Sequence, residues 1–149
     1  MDSAVAITNL LGRYGECIDL GDLAGAAAQL DLGVGEESGG DELNADRLEQ
    51  HWRNLIILYE DGTPRTKHVI TNPIVEVDEA AGTATCRSYY TVFQEVPGFP
   101  LQPIVAGRYH DWFERADGTW RFSYRDYSLM DLLGDLSRHI RIDPTKSAR

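Results

Sequence analysis

The sequence predicts an α+β fold, in which a cone-shaped, curved antiparallel β-sheet with mixed edges wraps around N-terminal helices and a C-terminal helix lies near the pocket mouth. Three observations point there. The first third of the chain carries helical periodicity and residues 66–128 carry strand periodicity, with no alternation of the two. That order excludes a doubly wound parallel sheet and favours an antiparallel one. The four extended segments, at about 66–78, 83–96, 102–116 and 119–128, are long and are joined by short turns, among them Ala116-Asp117-Gly118. A long antiparallel sheet that curves leaves a conical cavity, mostly apolar with a few placed polar groups.

The elements follow in order. Ser3 is placed to cap a first helix, in which Ile7, Leu10, Leu11, Tyr14 and Ile18 repeat at helical spacing. Asp19-Leu20-Gly21-Asp22 breaks that pattern, and Asp22 caps a short Ala-rich helix through Leu30. Residues 31–43, with Gly33, Gly35, Gly39 and Gly40 among Glu36, Glu37, Asp41 and Glu42, read as a mobile acidic loop; its stretch 33–40 is either a lid or tolerated surface. Asn44 is placed to cap a third helix with a stripe of Leu48, Trp52, Leu55, Ile56 and Tyr59, ended by Asp61-Gly62-Thr63-Pro64. After the four strands, Leu129, Leu132, Leu133, Leu136 and Ile140 mark a final amphipathic helix, and the tail from Asp143 is polar.

The totals bound the function. A length of 149 residues is read as one domain, 1–149. The net charge of −10 argues against nucleic acid and against an anionic membrane surface. No apolar run reaches the roughly 20 residues of a membrane span. No basic-then-apolar leader opens the chain, so a cytoplasmic location is expected. Cys17 and Cys86 have neither metal nor redox spacing and read as free thiols. The four histidines show no metal-ligand spacing, so neither metal nor cofactor is expected.

The chemistry gathers on the first strand. Side chains alternate along it, so His68, Ile70, Asn72 and Ile74 share one face while Val69, Thr71, Val75 and Val77 share the other. The first face mixes polar and apolar groups as a pocket wall does; the β-branched second face suits a homodimer or homotrimer contact. In the third strand Ile104, Ala106, Arg108, His110 and Trp112 share a face, and in the fourth Trp120 and Phe122 do. Placing the bulky aromatics inside brings Arg108 and His110 inward with Trp112. An inward ionisable group needs a partner, and Asp19 is the first candidate, Asp126 the second. The competing reading of Arg108 is structural pairing with Asp126 or Glu95. His68 could equally be a strand histidine satisfied by a backbone carbonyl, Asp19 a turn residue, and Asn72, before Pro73, a strand kink. His51 reads as exposed, and His139 is given no role.

Asp19-x-x-Asp22 after an amphipathic helix, Arg65-Thr66-Lys67-His68 and Gly118-Thr119-Trp120-Arg121-Phe122 together resemble the SnoaL-like branch of the nuclear transport factor two-like superfamily. Within it they are similar to the motifs of scytalone dehydratases, over about residues 5–128. The resemblance implies a pocket covered by a C-terminal helix. It also implies an Asp19–His68 dyad in which the carboxylate fixes the imidazole and His68 moves a proton. The second histidine of scytalone dehydratases falls at Ala106 and is missing; Arg108 and His110 are the candidates to replace it. The tyrosine preceding the family aspartate falls at Ile18, with Tyr14 one turn earlier as its substitute. The implied function is a cofactor-independent lyase (dehydratase) or isomerase (cyclase) acting on a small cyclic hydrophobic or aromatic molecule. Asp19 and His68 would be catalytic, and Tyr14, Trp52, Asn72, Arg108, His110 and Trp112 would contact the ligand. The alternatives are a ligand-binding module and the accessory subunit of a ring-hydroxylating oxygenase, since this fold hosts many functions.

Overall fold

The computed structural model describes residues 1–30, 34–35 and 44–141, with the backbone alone at 34–35. Three helices come first, α1 (Ser3–Asp19), α2 (Leu23–Gln29) and α3 (Ala45–Leu55), with a two-residue strand β1 (Val34–Gly35) between the last two. Five antiparallel strands follow: β2 (Thr66–Asp78), β3 (Thr83–Val96), β4 (Phe99–Ala116), β5 (Thr119–Asp126) and β6 (Met130–Leu133). The sheet order is β1-β5-β4-β3-β2, with β6 on β4 beyond the end of β5. β1 joins β5 in parallel, which makes the mixed edge. The sheet curves without closing, so the expected cone is an open one. The loop expected at 31–43 falls otherwise outside the described residues, and so does the tail from Asp143.

Local signals account for most boundaries. Asp2, not Ser3, caps α1, its carboxylate accepting from the backbone N–H groups of Ala4 and Val5; a carboxylate at that point also meets the positive end of the helix dipole. Asp22 and Asn44 cap α2 and α3. Ile7, Leu11, Tyr14 and Ile18 turn the buried stripe of α1 onto the concave face of the sheet, where Leu48 and Trp52 of α3 join them. Asp117 and Gly118 both have positive φ, as a two-residue hairpin matching the twist of β4 and β5 requires.

Two segments depart from the sequence pattern. α3 stops at Leu55, and the chain turns extended, because Ile56 bridges Ile140 and Leu55 accepts a hydrogen bond from the Arg141 N–H. Correspondingly, Leu129 to Ile140 form no helix. Met130–Leu133 pair with Val105–Gly107 as β6, and a turn at 136–140 docks on the chain behind α3. The edge of β4 left bare beyond β5 offers this segment ladder hydrogen bonds at once, whereas an isolated helix of its length must first pay for a nucleus.

The strands also carry bulges, and these decide which side chains enter the core. Asn72 and Pro73 together oppose one residue of β3, with Asn72 in the left-handed region at φ 54°. Ile104 is an extra residue in β4 opposite β3, and Ser123 an extra residue in β5 opposite β4. Each extra residue inverts the alternation beyond it.

Candidate active site

The site is built where the end of α1 meets the start of β2. Asp19 is the last residue of α1, and its carboxylate points at β2. Oδ1 accepts from the Thr66 hydroxyl at 2.8 Å and from His68 Nδ1 at 2.6 Å, and Oδ2 accepts from the His68 backbone N–H at 2.7 Å. Both side chains are more than nine-tenths buried. Gly15, one turn back along α1, makes the approach possible: a Cβ there would sit 3.2 Å from His68 Cβ. Burial pushes the Asp19 carboxyl up. The ring, charge and backbone N–H of His68, with the Thr66 hydroxyl, more than offset it and hold the carboxyl below its usual range. An ionised carboxylate only accepts, so Nδ1 carries the proton. In the neutral ring Nε2 keeps its lone pair, and it has no hydrogen-bond partner among the described residues. This is the tautomer a proton acceptor needs.

Aromatic residues enclose this pair. The Tyr14 ring meets His68 edge-on at 6.3 Å and lies 6.2 Å from Trp52, which in turn is 6.2 Å from Tyr127. Burial, followed by the neighbouring Tyr127 and Tyr109, pushes the Tyr14 hydroxyl well above the ordinary phenol range, so it stays protonated. Its oxygen lies 3.4 Å from that of Tyr127. Tyr14 therefore stands beside His68, and Trp52 beside Tyr14.

The other four expected contacts do not. Asn72 leaves the pocket face at the bulge before Pro73, while Val75 and Val77 turn onto the core side. Arg108, His110 and Trp112 occupy the outer row of β4; the inner row is Tyr109, Asp111 and Phe113, all buried. Asn72, Ile74, Tyr89, Arg108 and His110 line a groove of about 450 Å³ on the outer surface. Arg108 pairs there with Asp131 at 2.8 and 3.0 Å, and with neither Asp126 nor Glu95. Trp112 packs edge-on against Tyr124, whereas Trp120 and Phe122 face inward as expected, on the far side of the Ser123 bulge. Ala106 shares the outer row, so the vacancy left by the family's second histidine does not face His68.

Sequence reasoning missed two inner features. Arg125 is wholly buried, bidentate to Asp111 at 2.6 and 2.9 Å, and lies over the rings of Tyr109 and Tyr14 at 3.7 and 4.4 Å. The alternation Tyr109-x-Asp111-x-Phe113 carried this signal, but only the bulges choose between the two rows. The second is His139, buried in the turn behind α3 and within electrostatic reach of Asp19 and His68. Burial pushes its imidazole down to about 4, the charge of His68 adds to that, and Asp19 opposes it. The leucine pattern puts it in a final helix within reach of the pocket rim, and with no role. Among the described residues no group of three or more His, Cys, Asp or Glu is placed to hold a metal ion. Cys86 is buried and Cys17 half-buried, both free. No described helix is long and apolar enough to cross a membrane.

A curved open sheet, packed on helices and holding a buried histidine–carboxylate pair, defines a class of α+β proteins. The chain belongs to the SnoaL-like domain family, which it matches over residues 1–126. No curated protein matches it in sequence. Among solved structures, a protein of unknown function from Mycobacterium tuberculosis is 26% identical, with TM-score 0.67 over 87% of this chain and 72% of that one. A candidate scytalone dehydratase from Novosphingobium aromaticivorans is 22% identical, with TM-score 0.65 over 89% and 86%. The beta subunit of a candidate aromatic-ring-hydroxylating dioxygenase from the same organism is 20% identical, with TM-score 0.65 over 93% and 95%. The last two show a shared fold.

Proposed function

We propose that the protein is a cofactor-independent lyase or isomerase of dehydratase type, acting by acid/base chemistry on a small cyclic, largely apolar molecule. The observation that carries the reading is the 2.6 Å hydrogen bond from His68 to Asp19, which leaves the outer ring nitrogen unpartnered. Asp19 orients the ring and stabilises the imidazolium that forms when Nε2 takes a proton from the substrate. His68 then returns that proton to a leaving hydroxyl, or to another carbon in an isomerisation. Such transfer contributes roughly 100- to 10,000-fold to a rate. Tyr14 and Trp52 supply an apolar wall that suits a ring. A screen of hydroxylated cyclic ketones, followed by absorbance for a new conjugated double bond, tests the reading. His68→Ala should remove turnover by that factor and leave the far-ultraviolet circular dichroism unchanged; full activity in the variant would end the assignment.

A second reading, a non-catalytic ligand-holding or accessory subunit, is supported by a different observation. Met130, Leu132 and Leu133 of β6 are exposed, as are Val69, Ile74 and Tyr89 on the outer sheet face. Rows of this kind suit a subunit contact, in a homodimer or homotrimer or against a larger oxygenase chain. Light scattering and co-purification with an iron-containing chain test it. A monomer that turns over substrate would leave this reading without support.

A further inference from the structure

The residue at the entry to β2 carries strain that its own type does not explain. Arg65 has φ 59°, in the left-handed region that a residue with a Cβ enters at a cost. Among the described non-glycine residues, Asn72 and Asp117 share a positive φ. Those two are of the types that tolerate it, at a bulge and at a hairpin; arginine is not. Strain of this kind persists where the surroundings impose it, and it gathers at functional sites.

The surroundings here are a clasp of polar groups. The Arg65 N–H donates to the Thr63 hydroxyl at 3.1 Å, and its carbonyl accepts from the Glu95 N–H at 3.4 Å. Its guanidinium grips Glu95, Nε donating to the carbonyl at 3.2 Å and Nη2 to the carboxylate, while Nη1 lies 3.7 Å from the Asp61 carboxylate. The Thr63 hydroxyl in turn donates to Asp61 at 2.9 Å. Exposed ion pairs such as these add little to stability. What the clasp does is hold the point where the chain enters β2. The next side chain, Thr66, is 2% exposed, and its hydroxyl donates to Asp19 Oδ1 at 2.8 Å.

That hydroxyl acts on the dyad through the carboxylate. Oδ1 also accepts from His68 Nδ1, and Oδ2 from the His68 backbone N–H. Two of the three donors therefore lie outside the imidazole, and they fix the carboxylate whatever the ring does. A hydroxyl proton on Oδ1 also draws off part of its charge and weakens its hold on a proton. Asp19 then stays ionised with a ring nitrogen 2.6 Å away, and the proton stays on Nδ1. Asp19, Thr63, Arg65 and Thr66 line a groove of about 370 Å³ where α1 meets β2, so water stands ready to replace a lost donor.

We infer that Thr66 is a positioning residue, set by the Arg65 clasp, whose hydroxyl fixes the Asp19 carboxylate so that His68 keeps its ring proton on Nδ1 and leaves Nε2 open. The inference rests on the acid/base reading above and names the group that orients Asp19.

The test reads the dyad in the whole protein without substrate. In isotope-labelled protein, nitrogen NMR gives the tautomer of each histidine ring, and His68 is the ring lost in His68→Gln. Saturation transfer from water gives the exchange rate of its Nδ1 proton, and carbon NMR the titration of the Asp19 carboxyl. The wild-type ring should carry its proton on Nδ1 and exchange it slowly. Thr66→Val loses the donor and leaves no room for water. It should speed exchange about 10-fold or more, the scale of one hydrogen bond to a charged group. It should also raise the pH at which Asp19 protonates, because the Thr66 hydroxyl helps to hold that carboxyl down. Thr66→Ser keeps the hydroxyl and should restore both, which a packing role for Thr66 does not predict. If Thr66→Val does not fold, Thr66→Ala takes its place. Arg65→Gly accepts the backbone angle without the clasp and should speed exchange by about 5-fold at most; an unchanged rate would overturn the clasp's part. If Thr66→Val keeps the wild-type exchange and titration while His68 holds its proton on Nδ1, the role of Thr66 is overturned and the dyad stands. If the wild-type ring carries its proton on Nε2, the acid/base reading falls as well.

Discussion

Two buried side-chain pairs among the described residues, Asp111–Arg125 and Asp19–His68, are built for opposite ends. Asp111–Arg125 is sealed. Both carboxylate oxygens are taken by the guanidinium, and the rings of Tyr109, Tyr14 and Phe122 lie within 3.7 to 5.0 Å of its central carbon. Burial works against the charge on Arg125, but the Asp111 carboxylate outweighs it and keeps the guanidinium protonated. Asp19–His68 is satisfied on one side alone: three hydrogen bonds fix the carboxylate, and the outer ring nitrogen is left without a partner. A buried pair joined by two hydrogen bonds and roofed by aromatic rings, with Arg125 Nη1 alone left without a partner, locks the sheet onto α1. A buried pair with one nitrogen spare can do chemistry.

The sharpest way to break this comparison is to remove half of the sealed pair. Asp111→Asn leaves Arg125 charged and unpaired in the core and should cost about 3–5 kcal/mol in denaturant unfolding; a cost well below 1 kcal/mol would mean that water reaches the guanidinium. The next effect is set by pH. His139 has a folded-state pKa of about 4, below the unfolded value of roughly 6.5. The unfolded chain therefore binds the proton first, and stability rises with pH through that window. It should fall by about 3 kcal/mol between pH 7 and pH 4, and His139→Gln should flatten this limb. The loss from Asp19, whose folded-state pKa is also lowered, comes at still lower pH as that carboxylate protonates.

A smaller change should come from Gly15→Ala. The new methyl would press on His68 Cβ, which the backbone bond to Asp19 prevents from retreating freely. Overpacking of this kind costs about 1–3 kcal/mol; turnover should fall at the same time, and a variant with unchanged rate and stability would show that α1 can back away. The smallest effects belong to the outer row. Arg108→Ala, His110→Ala and Asn72→Ala should leave turnover within error of the wild type in a kcat/KM measurement, because a bulge has taken each away from the pocket. A large loss in any of them would move the site to the other face of the sheet.

Much of this was legible in the chain itself. The order of helices and strands follows from a change of apolar period. The bounds of β2 and β3 match the pattern to the residue, and Asp117-Gly118 fixed the last hairpin. The pairing of Asp19 with His68 follows from the family resemblance, since the residues alone leave His68 open as a strand histidine and Asp19 as a turn residue. What stayed hidden was the side to which residues face. Strand alternation has a period of two, so one extra residue at Asn72-Pro73, Ile104 or Ser123 inverts every position beyond it, and a bulge leaves no dependable mark in the sequence. The same holds for residues 129–140. Their leucine spacing favours a helix in isolation, and only the folded sheet supplies the bare edge of β4 that makes a strand of Met130–Leu133. Through that choice the tertiary structure, and not the local pattern, buried His139 in the turn behind α3, within electrostatic reach of His68. Local sequence set the elements because propensity and capping act over a few residues. Placement was decided by backbone hydrogen bonds between segments far apart in the chain, whose partners exist only once the sheet has formed.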